Sequence, residues 1–64
     1  MTSEEAKAAA LVELVEACDA WRRAGIEHEQ AFKRGSSQVG VLFSELRFRE
    51  CALSAAIVRY HEAR

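Results

Sequence analysis

Apolar residues recur along the first half of the chain at three- and four-residue steps: Leu11, Leu14, Val15, Cys18 and Trp21, with Phe32 further along the same line. That spacing holds them within about one third of a helix circumference and predicts an amphipathic α-helix with a core-facing stripe. Thr2-Ser3-Glu4-Glu5 supplies its start as a capping box, in which the threonine oxygen takes a free backbone N–H and Glu5 reaches back. Glu4 and Glu5 also suit the positive end of the helix dipole. The stripe is broken at Arg22, Gly25, His28 and Glu29. Arg22-Arg23-Ala24-Gly25-Ile26 reads as a helix end, with basic residues in the last turn, glycine at C′ and an apolar residue after it. Phe32 argues instead for continuation. Two versions therefore stay open: one helix over about 3–33, or one over about 3–24 followed by a short helix over 27–34.

Lys33-Arg34-Gly35-Ser36-Ser37 marks the main turn, at about 34–37, where Gly35 can close one helix in the left-handed region and a serine can cap the next. A second helix is expected over about 37–62. Its stripe is Val39, Leu42, Phe43, Leu46, Leu53, Ala56, Ile57 and Tyr60, interrupted at Arg49 and Glu50. A turn this short makes the two helices antiparallel neighbours. Val41, Phe48, Ala52 and Ala55 gather on the opposite side of the second helix. Ala6, Ala10, Ala17, Ala20 and Ala24 lie behind the leucines of the first, where they serve helix propensity or the close approach of another helix. Phe48 beside Val41 has no such propensity role and forms an apolar patch of the kind that marks interfaces.

With no proline, glycine only at 25, 35 and 40, and 64 residues in all, the chain is read as a single all-α domain. A chain of this size buries only about 60% of its unfolded surface and needs a disulfide framework, a metal or oligomerisation for support. Cys18 and Cys51 allow one bridge at most. The expected fold is thus an antiparallel helical hairpin that pairs with a second copy into a homodimeric four-helix bundle. Its core or dimer interface is drawn from Leu11, Leu14, Val15, Cys18, Trp21, Phe32, Val39, Leu42, Phe43, Leu46, Leu53, Ile57 and Tyr60. No apolar run approaches the ~20 residues that span a membrane, and acid stands where a signal peptide carries basic charge, so a cytoplasmic location is expected. Seven arginines against two lysines, with no asparagine, match the usage of GC-rich bacterial or phage genomes.

Chemistry changes this picture little. Inward-facing Glu-x-x-His pairs build di-iron sites in helical bundles, but Gly25 and Val58 stand three residues before His28 and His61. Neither cysteine has a ligand at zinc-site spacing. Cys18 reads as a small hydrophobe within the stripe, and Cys51 as the thiol more open to oxidation. No metal, cofactor or catalytic residue is expected, and thiol- or metal-dependent activity ranks last among the functions considered. Ala31 and Gly35 have the separation of the alanine and turn glycine of helix-turn-helix units. Gln30, Arg34 and Ser36 occupy positions that such a unit buries, and the net charge is −1.

Two charged groupings carry more weight. Folding about Gly35 brings Arg22 and Arg23 level with Arg47 and Arg49, a band that a dimer would double and that could hold the backbone of structured RNA or DNA. Local ion pairing is the plainer role for the same arginines, since Glu45 and Glu50 share a helix with Arg49. Arg22, Glu29, Arg49 and Glu50 interrupt both stripes near mid-hairpin and are candidates for a polar layer that fixes register and oligomeric state. Self-association and contact with other proteins, without catalysis, is the function expected, with nucleic-acid binding as the alternative.

Overall fold

The computed structural model describes residues 2–63. They form two α-helices, α1 (Ser3–Arg34) and α2 (Val39–Ala63), packed against each other as a hairpin. Thr2 caps α1 as a capping box: its hydroxyl accepts from the Glu5 N–H at 3.1 Å, and the Glu5 carboxylate accepts from the Thr2 N–H at 3.3 Å. α1 runs unbroken through Gly25 and stops at Gly35, whose φ of 66° and ψ of 33° lie in the left-handed region. There the Gly35 N–H donates to the Phe32 carbonyl and the Ser36 N–H to the Ala31 carbonyl, which satisfies two of the last free oxygens of the helix. Gly25 keeps helical geometry, and Gly35 is the glycine with a positive φ among the described residues.

The second helix starts at Val39, two residues later than the serine pair suggests. Ser36 is the reason: its hydroxyl accepts from the Gln38 N–H at 3.0 Å and its carbonyl from Val39 at 3.4 Å, so Ser37 and Gln38 are spent on a turn.

The seam between the helices runs along alanines. Ala10, Ala17, Ala24 and Ala31 stand seven residues apart on α1. All but the half-buried Ala17 are buried, Ala31 completely. On α2 the matching line is Val39, Leu42, Leu46, Arg49, Leu53, Ala56, Tyr60 and Ala63, alternating steps of three and four. Ala56 is 1% exposed and the others are half-buried. A strict seven-residue repeat advances slightly less than two helical turns, so helices that keep it in contact wind around each other. The dimensions agree. The hairpin measures 49 × 13 × 13 Å between Cα atoms, whereas two straight helices side by side would be only about 5 Å thick in one direction. A width of 13 Å also puts the helix axes about 8 Å apart, at the close end of the packing range. The alanines of α1 permit that distance while the larger side chains of α2 pack beside them.

The alanines of α1, expected behind its leucines, instead form the side that faces α2. Leu11, Val15, Cys18 and Phe32 are exposed in the hairpin, Phe32 by 70%. Leu14 and Trp21 lie at the border of the seam.

Three substitutions test this packing. A Cβ at Gly25 would sit 3.8 Å from Leu46 Cδ1, an ordinary contact, so Gly25→Ala should stabilise by roughly 0.5–1 kcal/mol through helix propensity. Gly35→Ala should destabilise by about 1 kcal/mol, because alanine resists a φ of 66°. Ala31→Leu overfills the seam and should cost about 1–3 kcal/mol. Urea unfolding of each variant measures all three, and a destabilised Gly25→Ala would contradict the spacing described.

Candidate interaction surface

The seam divides the hairpin into two faces. The front carries Leu11, Cys18, Gly25 and Phe32 of α1 beside Phe43, Glu50 and Ile57 of α2, each one step around its helix from the seam. Contacts on this side confirm the pairing: the rings of His28 and Phe43 lie 5.7 Å apart, and Leu11 and Tyr60 line one groove near the open end. A second shallow groove on α1 is lined by Val15, Cys18, Trp21 and Arg22, with Asp19 at its edge. Leu11, Val15, Trp21, Phe32, Phe43 and Ile57 are all exposed. No large side chain among the described residues is fully buried anywhere in the hairpin.

The back face is bridged by charge. Arg59 of α2 donates through Nε to the Glu13 carboxylate of α1 at 2.7 Å and through a second guanidinium nitrogen to the same oxygen. This hydrogen-bonded cation holds Glu13 below its usual carboxylate pKa, and Glu13 raises that of Arg59. Arg49 donates to Glu45 at 2.9 Å on the same side, and its guanidinium carbon stands 5.6 Å from the Phe48 ring centre, within cation–π reach. Of the second apolar group, Val41 and Phe48 are well exposed on the outer edge of this face, while Ala52 and Ala55 are half-buried.

The structure does not bring the four candidates for a polar layer into one network. Arg22 pairs with Asp19, Glu29 with Lys33, Arg49 with Glu45, and Glu50 with Arg47. Each partner lies three or four residues away, where helix geometry makes neighbours without any help from tertiary structure. The arginine band is occupied in the same way. Asp19 accepts from both Arg22 and Arg23, which lowers its pKa, and Arg47 and Arg49 hold Glu50 and Glu45. Cys18 and Cys51 are free and exposed thiols. Among the described residues no group of three His, Cys, Asp or Glu is placed to hold a metal ion, and no helix is long and apolar enough to cross a membrane.

Sequence reasoning missed the Glu13–Arg59 bridge, although the two residues lie nearly equal distances from Ser36 along the chain. It also missed the meaning of the alanine repeat, whose strict seven-residue step is plain once the period is sought.

The bridge gives the hairpin an acid dependence. A carboxylate whose folded pKa is lowered contributes stability that is present above its unfolded pKa and is lost as pH falls through the folded value. Stability should therefore decline as pH drops through and below the carboxylate range. Glu13→Gln should lower the urea midpoint near neutrality, and its gap from the parent should close in acid; a gap that persists there would show that charge is not the cause. No protein-family model, curated protein or solved structure matches the chain, so the geometry of the hairpin is the ground for its function.

Proposed function

We propose that this chain is a self-associating helical protein, a protein–protein interaction module without catalytic activity, whose working form is a homodimeric four-helix bundle. One observation carries the reading: the hairpin buries only alanines among its described residues and leaves Leu11, Val15, Trp21, Phe32, Phe43 and Ile57 exposed. Its accessible surface is 4775 Å², against about 4,100 Å² for a globular monomer of 7.2 kDa. The excess reflects its elongation. The radius of gyration is 14.7 Å, where a compact chain of this length has about 11 Å. Laying two such rods together would remove surface of the order that stable protein interfaces bury on each partner, about 800 Å².

Energetics favour the same reading. Burying a leucine, valine or phenylalanine fully contributes roughly 1.5–3 kcal/mol, and an alanine seam supplies little of this. Ordering the backbone of each residue costs about 1–2 kcal/mol. The side chains able to offset that cost are those on the front face. Nucleic-acid binding has less support, since Arg22, Arg23, Arg47 and Arg49 each already hold a carboxylate. In a bundle closed on its front faces, Val41 and Phe48 stay outside and form the patch available to another protein.

Molar mass by light scattering behind a sizing column, over a hundredfold dilution in reducing buffer, tests the proposal. A constant multiple of the chain mass is expected, together with a urea midpoint that rises with protein concentration. A strongly helical species with the mass of one chain would overturn it.

A further inference from the structure

The front face has a symmetry of its own. On α1 the midpoint between Leu11 and Phe32 falls between Trp21 and Arg22, and so does the midpoint between Cys18 and Gly25. On α2 the midpoint between Phe43 and Ile57 is Glu50. The two centres are level with each other. Leu46 stands opposite Gly25 and Arg59 opposite Glu13, a register that sets Glu50 across from Trp21 and Arg22. Outward from this common level, the positions one step from the seam read alike in either direction: Cys18, Gly25 and Glu50 nearer the centre, and Leu11, Phe32, Phe43 and Ile57 toward the ends.

We propose that the front face is the docking surface for a second copy of this chain, related by a twofold axis that lies across the helices at the level of Glu50. The inference rests on the self-association proposed above and adds its surface, its symmetry and its register. Such an axis sets α1 antiparallel on the α1 of the partner, and α2 on its α2. Leu11 then meets Phe32 of the other copy, Phe43 meets Ile57, and Cys18 faces the bare backbone at Gly25. A twofold interface must be self-complementary, each residue meeting the residue that its own mirror position supplies. An axis running along the helices would put α1 against the partner's α2 and would require no such symmetry within each helix.

Charge separates the two faces. The back face is spanned by the Glu13–Arg59 bridge and carries the Arg49–Glu45 pair. Among the described residues no ion pair crosses the helices on the front, where Glu50 is the one acid between Phe43 and Ile57. At the axis Glu50 meets its own copy. Arg47, 2.9 Å from Glu50 within each chain, supplies one positive charge to each of the two carboxylates. This central layer disfavours shifted registers, because sliding by one heptad would set Glu50, still held by its own Arg47, against Phe43 or Ile57, where the pair loses water and meets no further charge.

Cross-linking tests the axis. In a background of Cys18→Ala and Cys51→Ala, Glu50→Cys places one thiol per chain on the proposed axis. A short bis-maleimide should join two such chains about tenfold or more faster than it joins Phe48→Cys chains, through the high effective concentration of thiols across the axis. In the same background, Leu11→Cys protein mixed and re-equilibrated with Phe32→Cys protein should form the mixed covalent dimer in preference to either self-linked one. Circular dichroism verifies that each variant stays helical. A dimeric mass with neither cross-link, or with Phe48→Cys linking fastest, would overturn this interface and leave self-association standing. A monomeric mass would overturn both.

Discussion

The close approach of α1 and α2 governs the rest of this molecule. With axes about 8 Å apart, α1 meets α2 through methyl groups. Ala10, Ala24, Ala31 and Ala56 are the buried residues among those described. Leu42, Leu46, Leu53 and Tyr60 of α2 stay half-buried along the seam, and Leu11, Val15, Phe32, Phe43 and Ile57 are exposed. A hairpin built this way gains backbone proximity and dispersion contacts along its seam, but it cannot assemble a conventional core within one chain.

This explains why the helices were legible in the sequence and their facing was not. The caps are local chemistry, so Thr2 and Glu5 at one end of α1 and Gly35 at the other identify themselves by residue type. Gly25 carried an equally good local signal and proved silent. A C-terminal glycine matters only where the chain must leave the helix, and the alanine seam continues on both sides of position 25. The facing failed for a different reason. Hydrophobicity ranks Leu11, Val15 and Phe32 above alanine, so a stripe built on that scale points them at the nearest helix. What decides the seam is size, and the seven-residue recurrence of Ala10, Ala17, Ala24 and Ala31 was the signal that carried it.

Charges followed a similar division. Pairs at three- and four-residue separation, such as Arg49 with Glu45 and Lys33 with Glu29, lie in reach by helix geometry alone. Glu13 and Arg59 are 46 residues apart and needed the register of the hairpin to meet. That register follows from Gly35 and the alanine spacing together, and neither can be counted from until the seam is known. The candidate polar layer shows the limit of reading along one chain. Its members satisfy local partners within the hairpin, and only Arg22 and Glu50 among the four share the level and the face where a second chain would bring charges together.

A surface that is apolar at both ends and charged at its centre has a consequence for specificity. Apolar side chains alone would let two hairpins slide along each other, since a leucine gains nearly as much against one methyl-rich neighbour as against the next. Charge at the midpoint works against that freedom. In the proposed register each Glu50, with its own Arg47 2.9 Å away, meets its copy, and a shift by one heptad would press the pair against Phe43 or Ile57, where it loses water without gaining a partner. In the proposed dimer, affinity and register reside in different residues: Leu11, Phe32, Phe43 and Ile57 supply the first, and Glu50 with Arg47 the second. The back face differs in kind: the Glu13–Arg59 bridge crosses it, and its exposed apolar residues, Val41 and Phe48, lie at its outer edge.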